Sequence, residues 1–332
     1  MARILVTGGT GFIGIPLVKK LHELGHEVKL LIRESSNITP FKELNKIDYI
    51  VGDIQDLGSL EKAVNNIDAI YHLAAYTGIW AKDNSTYYDV NVRGTENVVN
   101  VALKNNLKLF YVSSFAALGP TPQEPVDETH ENEDFFMEYE KSKFQAKKLV
   151  KSYIPKGLKA MIFYPGIVYG PGDFNVFGRM LFDVMRGKIF PLGACPGKGA
   201  SMTCLSYVYD TSNALADVLN RDDLFGEDFI LGGENVRFKE YLDLIAKIGR
   251  DKKARKFPYP IAWLYAWLLE VKARFNKKIP FLTRPTLRAI KYHRCYSSKK
   301  ASDKFGYKIT PLREGLEETI NWYKEYIEEG KK

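Results

Sequence analysis

The chain has 332 residues, 45% hydrophobic and 27% charged, with a formal net charge of +8. That length exceeds the usual single-domain range and points to a large α/β unit or a two-part enzyme. The even composition excludes a disordered, repetitive or fibrous chain. Cys195, Cys204 and Cys295 are too few and too scattered for a disulfide framework or a zinc site, so a reducing, cytoplasmic setting fits best. RILVTG (3–8) reads as a short strand ending in glycine, IPLVKKLHELG (15–25) as a helix stopped by glycine, and HEVKLLIR (26–33) as a second strand. The alternation continues through IDYIVGD (47–53), helical LGSLEKAVNN (57–66), IDAIYHLAA (67–75), a long helix from about 84 to 105, and LKLFYVSS (107–114).

Strands alternating with helices of this length predict a Rossmann-type doubly wound parallel sheet covered on both faces, with ligands at the carboxyl ends of its strands. The rhythm loosens after about residue 165. Gly/Pro-rich loops at 164–173 and 190–200 and a helical carboxyl-terminal third predict a dinucleotide-binding part over 1–165. A smaller, discontinuous, mainly helical substrate-binding part is predicted over 166–332, with DFILGG (228–233) a strand that rejoins the main sheet. The opening MARILVTGGTGFIG holds four glycines and no uninterrupted apolar core, which argues against a secretion signal.

TGGTGFIG (7–14) falls between the first strand and the first helix, where the backbone must turn tightly beside a pyrophosphate. Gly8 can take the dihedrals required, Gly11 removes a side chain that would block phosphates, and Gly14 allows close packing. The helix amino terminus adds N–H donors and a favourable dipole. The second strand ends in LLIRESS, where an acidic residue would accept hydrogen bonds from an adenosine ribose. Arg33 stands there instead. A guanidinium can grip a 2′-phosphate with paired donors, helped by Ser35 and Ser36, so NADP is expected over NAD. The competing reading is a solvated arginine paired with Glu34.

YEKSK (139–143) places Tyr139 and Lys143 four residues apart, on one face if the segment from Glu138 to Tyr153 is helical. An ammonium beside a phenol would favour phenolate and bring the proton within reach of neutral-pH chemistry. The same pair also fits an ordinary solvated helix turn. Ser114, at the carboxyl end of LKLFYVSS, could hydrogen-bond a substrate carbonyl or alcohol, with Ser113 as the competing candidate.

Taken together, TGGTGFIG, GDI (52–54), HLAA (72–75), NVRGT (91–95), VSSFAALG (112–119), YEKSK and PGIVYGPGD (165–173) resemble the extended short-chain dehydrogenase/reductases of the NAD-dependent epimerase/dehydratase superfamily. The likeness runs from residue 2 to about 320. It implies Tyr139 as catalytic acid/base, Lys143 as its modulator and a ribose ligand, and Ser114 as the substrate-polarising hydroxyl. Around the cofactor it implies Gly8, Thr10, Gly11, Phe12, Ile13 and Gly14 at the turn, with Asp53 and Ile54 at the adenine. Leu73, Ala74 and Ala75 would lie on the diphosphate-ribose side, and Tyr164, Pro165, Gly166 and Val168 at the nicotinamide. No metal is implied, and homodimers are common in such proteins. GHEVKLLIR, YTGIW and FILGGEN are similar to the branch holding dihydroflavonol-4-reductase-like proteins, 3β-hydroxysteroid dehydrogenases and hopanoid-associated epimerase-like proteins. Two departures fall near the substrate: Tyr164 replaces a frequent arginine, and YVYD (207–210) replaces a VHVDD-like segment.

The expected activity is hydride transfer between nicotinamide and a hydroxyl or carbonyl carbon of a small, lipophilic substrate. A nucleotide-sugar epimerase or dehydratase with tightly held NAD is the second reading, and a non-catalytic dinucleotide-binding regulator the third. Residues 251–310 hold sixteen Lys/Arg against three Asp/Glu, leaving the rest of the chain net acidic. Interleaved with apolar residues and lacking a groove-reading motif, this stretch does not suggest nucleic acid. IAWLYAWLL (261–269) is too short to span a bilayer. It reads either as a core helix lining the substrate cleft or as an interfacial element with Trp263 and Trp267 in lipid. His22, His26, His72, His130 and His293 share no ligand spacing, and a packing role is expected for His72. Asn91 reads equally as a residue orienting the cofactor loop and as a helix-surface asparagine.

Overall fold

The computed structural model describes residues 1–175, 178, 181, 182, 194–196, 199–250, 255–276, 279, 280 and 282–330. The Gly/Pro-rich stretch 190–200 and the basic stretch 251–310 therefore lie partly outside the described residues. The elements are β1 (Arg3–Thr7), α1 (Gly14–Glu23), β2 (Glu27–Ile32), β3 (Ile47–Val51), α2 (Leu57–Ala63), β4 (Ala69–His72), α3 (Ser85–Tyr88), α4 (Gly94–Lys104), β5 (Lys108–Val112), α5 (Glu138–Tyr153), β6 (Ala160–Pro165) and β7 (Ile167–Tyr169). They continue as β8 (Ala194–Pro196), β9 (Met202–Tyr207), α6 (Val208–Asp217), β10 (Asp228–Leu231), β11 (Asn235–Arg237), α7 (Phe238–Arg250), β12 (Arg255–Phe257), α8 (Tyr259–Asn276), α9 (Arg284–Ala289), α10 (Lys299–Phe305) and α11 (Leu312–Glu328).

Seven strands form one sheet in the order β10-β6-β5-β4-β1-β2-β3, every neighbouring pair parallel. Successive strand residues point to opposite faces, so both faces need cover, and the apolar runs supply it. Leu5 and Ile70 face α2, α4 and α5 through Leu60, Val98, Val99, Ala146 and Val150. Ile4 and Val6 face α1 through Leu17, Val18 and Leu21, α6 through Leu215, and α10 through Ala301. The chain reverses its direction of travel across the sheet between β1 and β4, the crevice where a doubly wound sheet holds its ligand.

β10 joins the edge by pairing with β6, so a strand contributed from beyond residue 200 completes the main sheet. The carboxyl-terminal part has a small sheet β11-β9-β7, and α7 and α11 close a third core around Tyr169, Leu205, Tyr207, Tyr241, Leu316 and Tyr323. The single helix expected over 84–105 is interrupted: Asp89–Arg93 forms a π-helical turn between α3 and α4. Such turns insert one extra residue into a helix, and the buried residue of this one is Asn91.

Candidate active site

The β1–α1 turn needs glycine at two positions, 8 and 14, where a side chain has no room. Gly8 has φ +75°, and a Cβ there would lie 2.6 Å from the Ala74 amide nitrogen, so β1 and the Leu73–Ala74 peptide meet without a side chain between them. A Cβ on Gly14 would fall 2.3 Å from the Gly8 carbonyl oxygen, so the first turn of α1 sits directly on the strand end. At Gly11 the nearest atom to such a Cβ is that same oxygen at 3.1 Å, with open space beyond. The first turn of α1 carries no acidic residue to compete with an anion. A glycine-lined cradle at a positive helix end fits a dinucleotide's diphosphate. Thr10, Phe12 and Ile13 are half-buried on the same turn.

Asp53 and Ile54 follow β3. The Asp53 carboxylate accepts from the Gln55 backbone N–H (2.9 Å), and Ile54 is buried against Gly94 while its carbonyl accepts from Asn97 (2.9 Å). Arg33 stands exposed just after β2, its backbone N–H bound to the Ser36 hydroxyl (3.0 Å). Leu73, Ala74 and Ala75 leave β4 beside Gly8, and the Leu73 N–H donates to the Thr7 carbonyl (3.0 Å).

The catalytic candidates converge from β5 and α5. Ser114 is extended (φ −163°, ψ 150°) and its hydroxyl accepts from the Ala116 N–H (3.2 Å), capping the short turn that follows the strand. Tyr139 lies in the first turn of α5, its phenol near enough to the Ser114 hydroxyl for that group to oppose part of the rise in the phenol's pKa. Lys143 is buried one turn on; its ammonium donates to the Val112 carbonyl (3.1 Å) and lies 5.0 Å from the Tyr111 ring centroid. Burial raises the phenol's pKa, only partly opposed by Ser114, and lowers that of Lys143 to about 7. Lys143 is not among the groups that shift the Tyr139 phenol here. Desolvation dominates both groups, and the ammonium spends its hydrogen bond on backbone.

A layer of buried polar residues fixes these elements relative to one another. His72 is fully buried and hydrogen-bonds Thr7 through Nδ1 (2.7 Å) and Thr95 through Nε2 (3.0 Å), tying β1, β4 and α4 together. Burial holds its pKa down at about 3, so it is neutral, and its role is bridging rather than apolar packing. Asn91 accepts from the Tyr76 N–H (2.7 Å) and donates to the Tyr76 carbonyl (3.1 Å) and the Ser142 hydroxyl (2.9 Å). Of its two sequence readings, loop orientation is the one the geometry supports: Asn91 clamps the segment after β4 to the helix bearing Tyr139 and Lys143. Glu140, fully buried, accepts from the Phe136 N–H (2.7 Å) and Met137 N–H (3.2 Å) and pairs with Arg294, pinning the start of α5 to the carboxyl-terminal part.

The remaining candidates divide. Gly166 donates its N–H to Ser206 (2.9 Å), which donates in turn to the Leu231 carbonyl (2.7 Å), so the Pro165–Gly166 turn is held at the ligand edge with half-buried Val168 beyond it. Tyr164 goes elsewhere. Its phenol donates to Asp228 (3.0 Å), at the amino end of β10 and therefore away from the ligand edge, leaving only its backbone near the site. Thr7, Thr95, Ser142 and the Glu140–Arg294 pair were not foreseen. The i, i+4 spacing of Asn91 and Thr95 is a usable signal for one of them; a pair 154 residues apart leaves none. Beyond the start of α5, a cavity of about 540 Å³ opens between Phe136 and Tyr292 on one side and Tyr259, Pro260 and Trp263 on the other, with Arg288 and Lys291 at its wall.

Residues 4–232 match the model of the NAD dependent epimerase/dehydratase family. The chain belongs to that family. Among relatives, it is 28% identical over 331 residues to the 2-alkyl-3-oxoalkanoate reductase of Stenotrophomonas maltophilia, covering 95% of this chain and 97% of the relative. It is 25% identical over 330 residues to Sterol demethylase protein B of Methylococcus capsulatus, covering 97% and 98%. Its fold superposes on the crystal structure of gox2253 with a TM-score of 0.82 and 31% identity, over 98% of this chain and 99% of that one. The protein is thus a member of a nicotinamide-dependent enzyme family, in agreement with the motif set. No helix among the described residues is long and apolar enough to cross a membrane.

Proposed function

We propose that the protein interconverts a secondary alcohol and a ketone on a small lipophilic molecule. The observation carrying this reading is the convergence of Ser114, Tyr139 and Lys143 at the carboxyl edge of β5, beside a glycine cradle at the carboxyl edge of β1. When bound, the dinucleotide supplies or accepts the hydride. The chain's residues do the rest: Gly8, Gly11 and Gly14 admit the diphosphate, Asp53 and Ile54 border the adenine, and Lys143 is placed to meet the nicotinamide ribose. Ser114 holds the substrate oxygen, and Tyr139 exchanges its proton with that oxygen. The aromatic cavity beside Phe136 suits an apolar substrate body, and the two named relatives act, by their names, on an alkyl ketoacid and a sterol.

Tyr139→Phe is expected to lower kcat about 10²- to 10⁴-fold while cofactor affinity, read by fluorescence titration, stays unchanged. Near-normal turnover in that variant removes the assignment. Turnover without added cofactor, together with tightly co-purified NAD, would instead mark the epimerase or dehydratase reading. NADP is the preferred dinucleotide in this proposal because Arg33 is exposed where a 2′-phosphate would lie and no acidic side chain takes its place. Arg33→Ala should weaken NADP binding about tenfold and leave NAD binding within a factor of two; an unaltered preference takes Arg33 out of cofactor selection.

A further inference from the structure

α8 is built inside out. Its inward face carries Ala262 and Ala266, packed with Leu287 of α9 and flanked by partly buried Tyr259 and Trp263, and further along the buried Ala273. Its outward face carries Ile261, Leu264, Trp267, Leu268 and Phe275, which are 43–84% exposed. Positions 261, 264, 268 and 275 recur at helical spacing, so they form one stripe and not a scatter of isolated surface residues. An ordinary surface helix puts such side chains into the core. Lys272 and Arg274 flank this stripe on its two sides by the 3.6-residue period, and both are exposed.

The charge around the stripe says what it fits. Beside it Lys272 and Arg274 are exposed, while Arg284 pairs with Glu270 and Arg288 and Lys291 line the cavity; the helix itself carries a single acid, Glu270. That acid is turned inward: its carboxylate accepts from the Arg284 backbone N–H (2.6 Å) and Nε (2.9 Å), so it does not neutralise the outer face. A second copy of the chain meeting this face across a two-fold axis would bring no carboxylate from its α8 to Lys272 and Arg274, because the helix carries one acid, Glu270, and that acid is turned inward. We propose that the outward face of α8 docks on an anionic lipid surface, its large apolar side chains entering the acyl boundary and the flanking cations meeting lipid phosphates. With 18 residues and cations near its end, the helix lies along the interface and does not cross it.

Docking in this orientation also serves the cavity. Tyr259, Pro260 and Trp263, on the first turns of the same helix, line the cavity beside Phe136, three residues before Tyr139. A lipophilic molecule leaving the bilayer would meet that wall first.

The test uses the purified full chain and sedimentation with vesicles of phosphatidylcholine alone or mixed with phosphatidylglycerol, at low and high salt. Binding needs no turnover, so it is read independently of the proposed reaction. The wild type is expected to sediment with the anionic vesicles and to bind more weakly at high salt. The pair Leu264→Glu and Leu268→Glu should weaken binding at least tenfold with unchanged thermal midpoint and gel-filtration size. Lys272→Glu with Arg274→Glu, which leaves the apolar stripe in place, should weaken binding to anionic vesicles about tenfold. Absence of wild-type binding at low salt overturns the proposal, as does binding by both double variants that equals that of the wild type. Concentration-dependent self-association that the Leu264/Leu268 variant abolishes also overturns it, because a second copy would then cover the face.

Discussion

The helices α1 and α8 spend their leucines in opposite directions. α1 sends Leu17, Val18 and Leu21 into the core beneath the nucleotide turn and leaves Lys19 and Glu23 in water. α8 sends alanines inward and leaves Leu264 and Leu268 about half exposed. The first arrangement is what folding stability alone selects; the second forgoes burial that a rearranged sequence could have had. The nucleotide half departs from that optimum too, in the other direction: it buries Lys143 with a backbone carbonyl for its hydrogen bond in place of a carboxylate. Local rules broken without a stabilising return tend to mark function.

Substitutions can break or sharpen this contrast. The largest change in stability is expected for Leu17→Ala. The side chain is fully buried between α1 and the sheet, and its loss removes transfer energy and leaves a cavity, costing about 3 kcal/mol in urea unfolding. A cost under about 1 kcal/mol would mean the nucleotide half is packed far more loosely than its glycine contacts imply.

Lys143→Met should act with the opposite sign. Burial lowers this lysine's pKa from 10.5 to about 7, so the unfolded chain binds more protons between those values and stability rises with pH across that window. Below pH 7 the folded state carries the full penalty; above about 10.5 the group is neutral in both states and contributes nothing. Linkage sets an upper limit of about 5 kcal/mol on the penalty, and loss of the Val112 hydrogen bond leaves an expected gain of about 2 kcal/mol at pH 7. The gain should shrink towards zero by pH 10, while turnover falls. Destabilisation at pH 7 would show that the ammonium is better solvated than its burial suggests.

What could be read beforehand follows the same division. The strands, the glycine turn and α5 announce themselves because each is decided within a few residues: alternation of apolar runs, a turn that tolerates no Cβ, and a tyrosine and lysine one turn apart. That the sheet is parallel needs only the rule that parallel strands require helical crossovers, while its strand order was not read beforehand. The π-turn at Asp89–Arg93 was hidden, since periodicity over 84–105 supports one continuous helix and the turn is stabilised by Asn91 reaching Tyr76 and Ser142 from other elements. Tyr164 was misleading for a similar reason. The family likeness implied it at the nicotinamide, but a strand residue's side chain leans along the strand, and this one finds Asp228, brought in by β10 from 64 residues away. α8 was legible as a helix but not in its orientation: an apolar and aromatic run carries no phase until a buried alanine face and the Glu270–Arg284 pair decide which side is in.

The smallest expected effect bears most directly on that phase. Leu268 is half exposed on the outer face, so truncation to alanine removes little buried area, and alanine's higher helix propensity returns a few tenths of a kcal/mol. Leu268→Ala should therefore change the unfolding free energy of the lipid-free protein by less than about 0.5 kcal/mol, against the several-fold larger loss at Leu17. The thermal midpoint should also be independent of protein concentration for wild type and variant alike. A loss of 2 kcal/mol, or a wild-type midpoint that climbs with concentration and stops climbing in the variant, would mean that the outer leucines are already buried in solution against another copy. α8 would then obey the same rule as α1, with its core supplied by a neighbour.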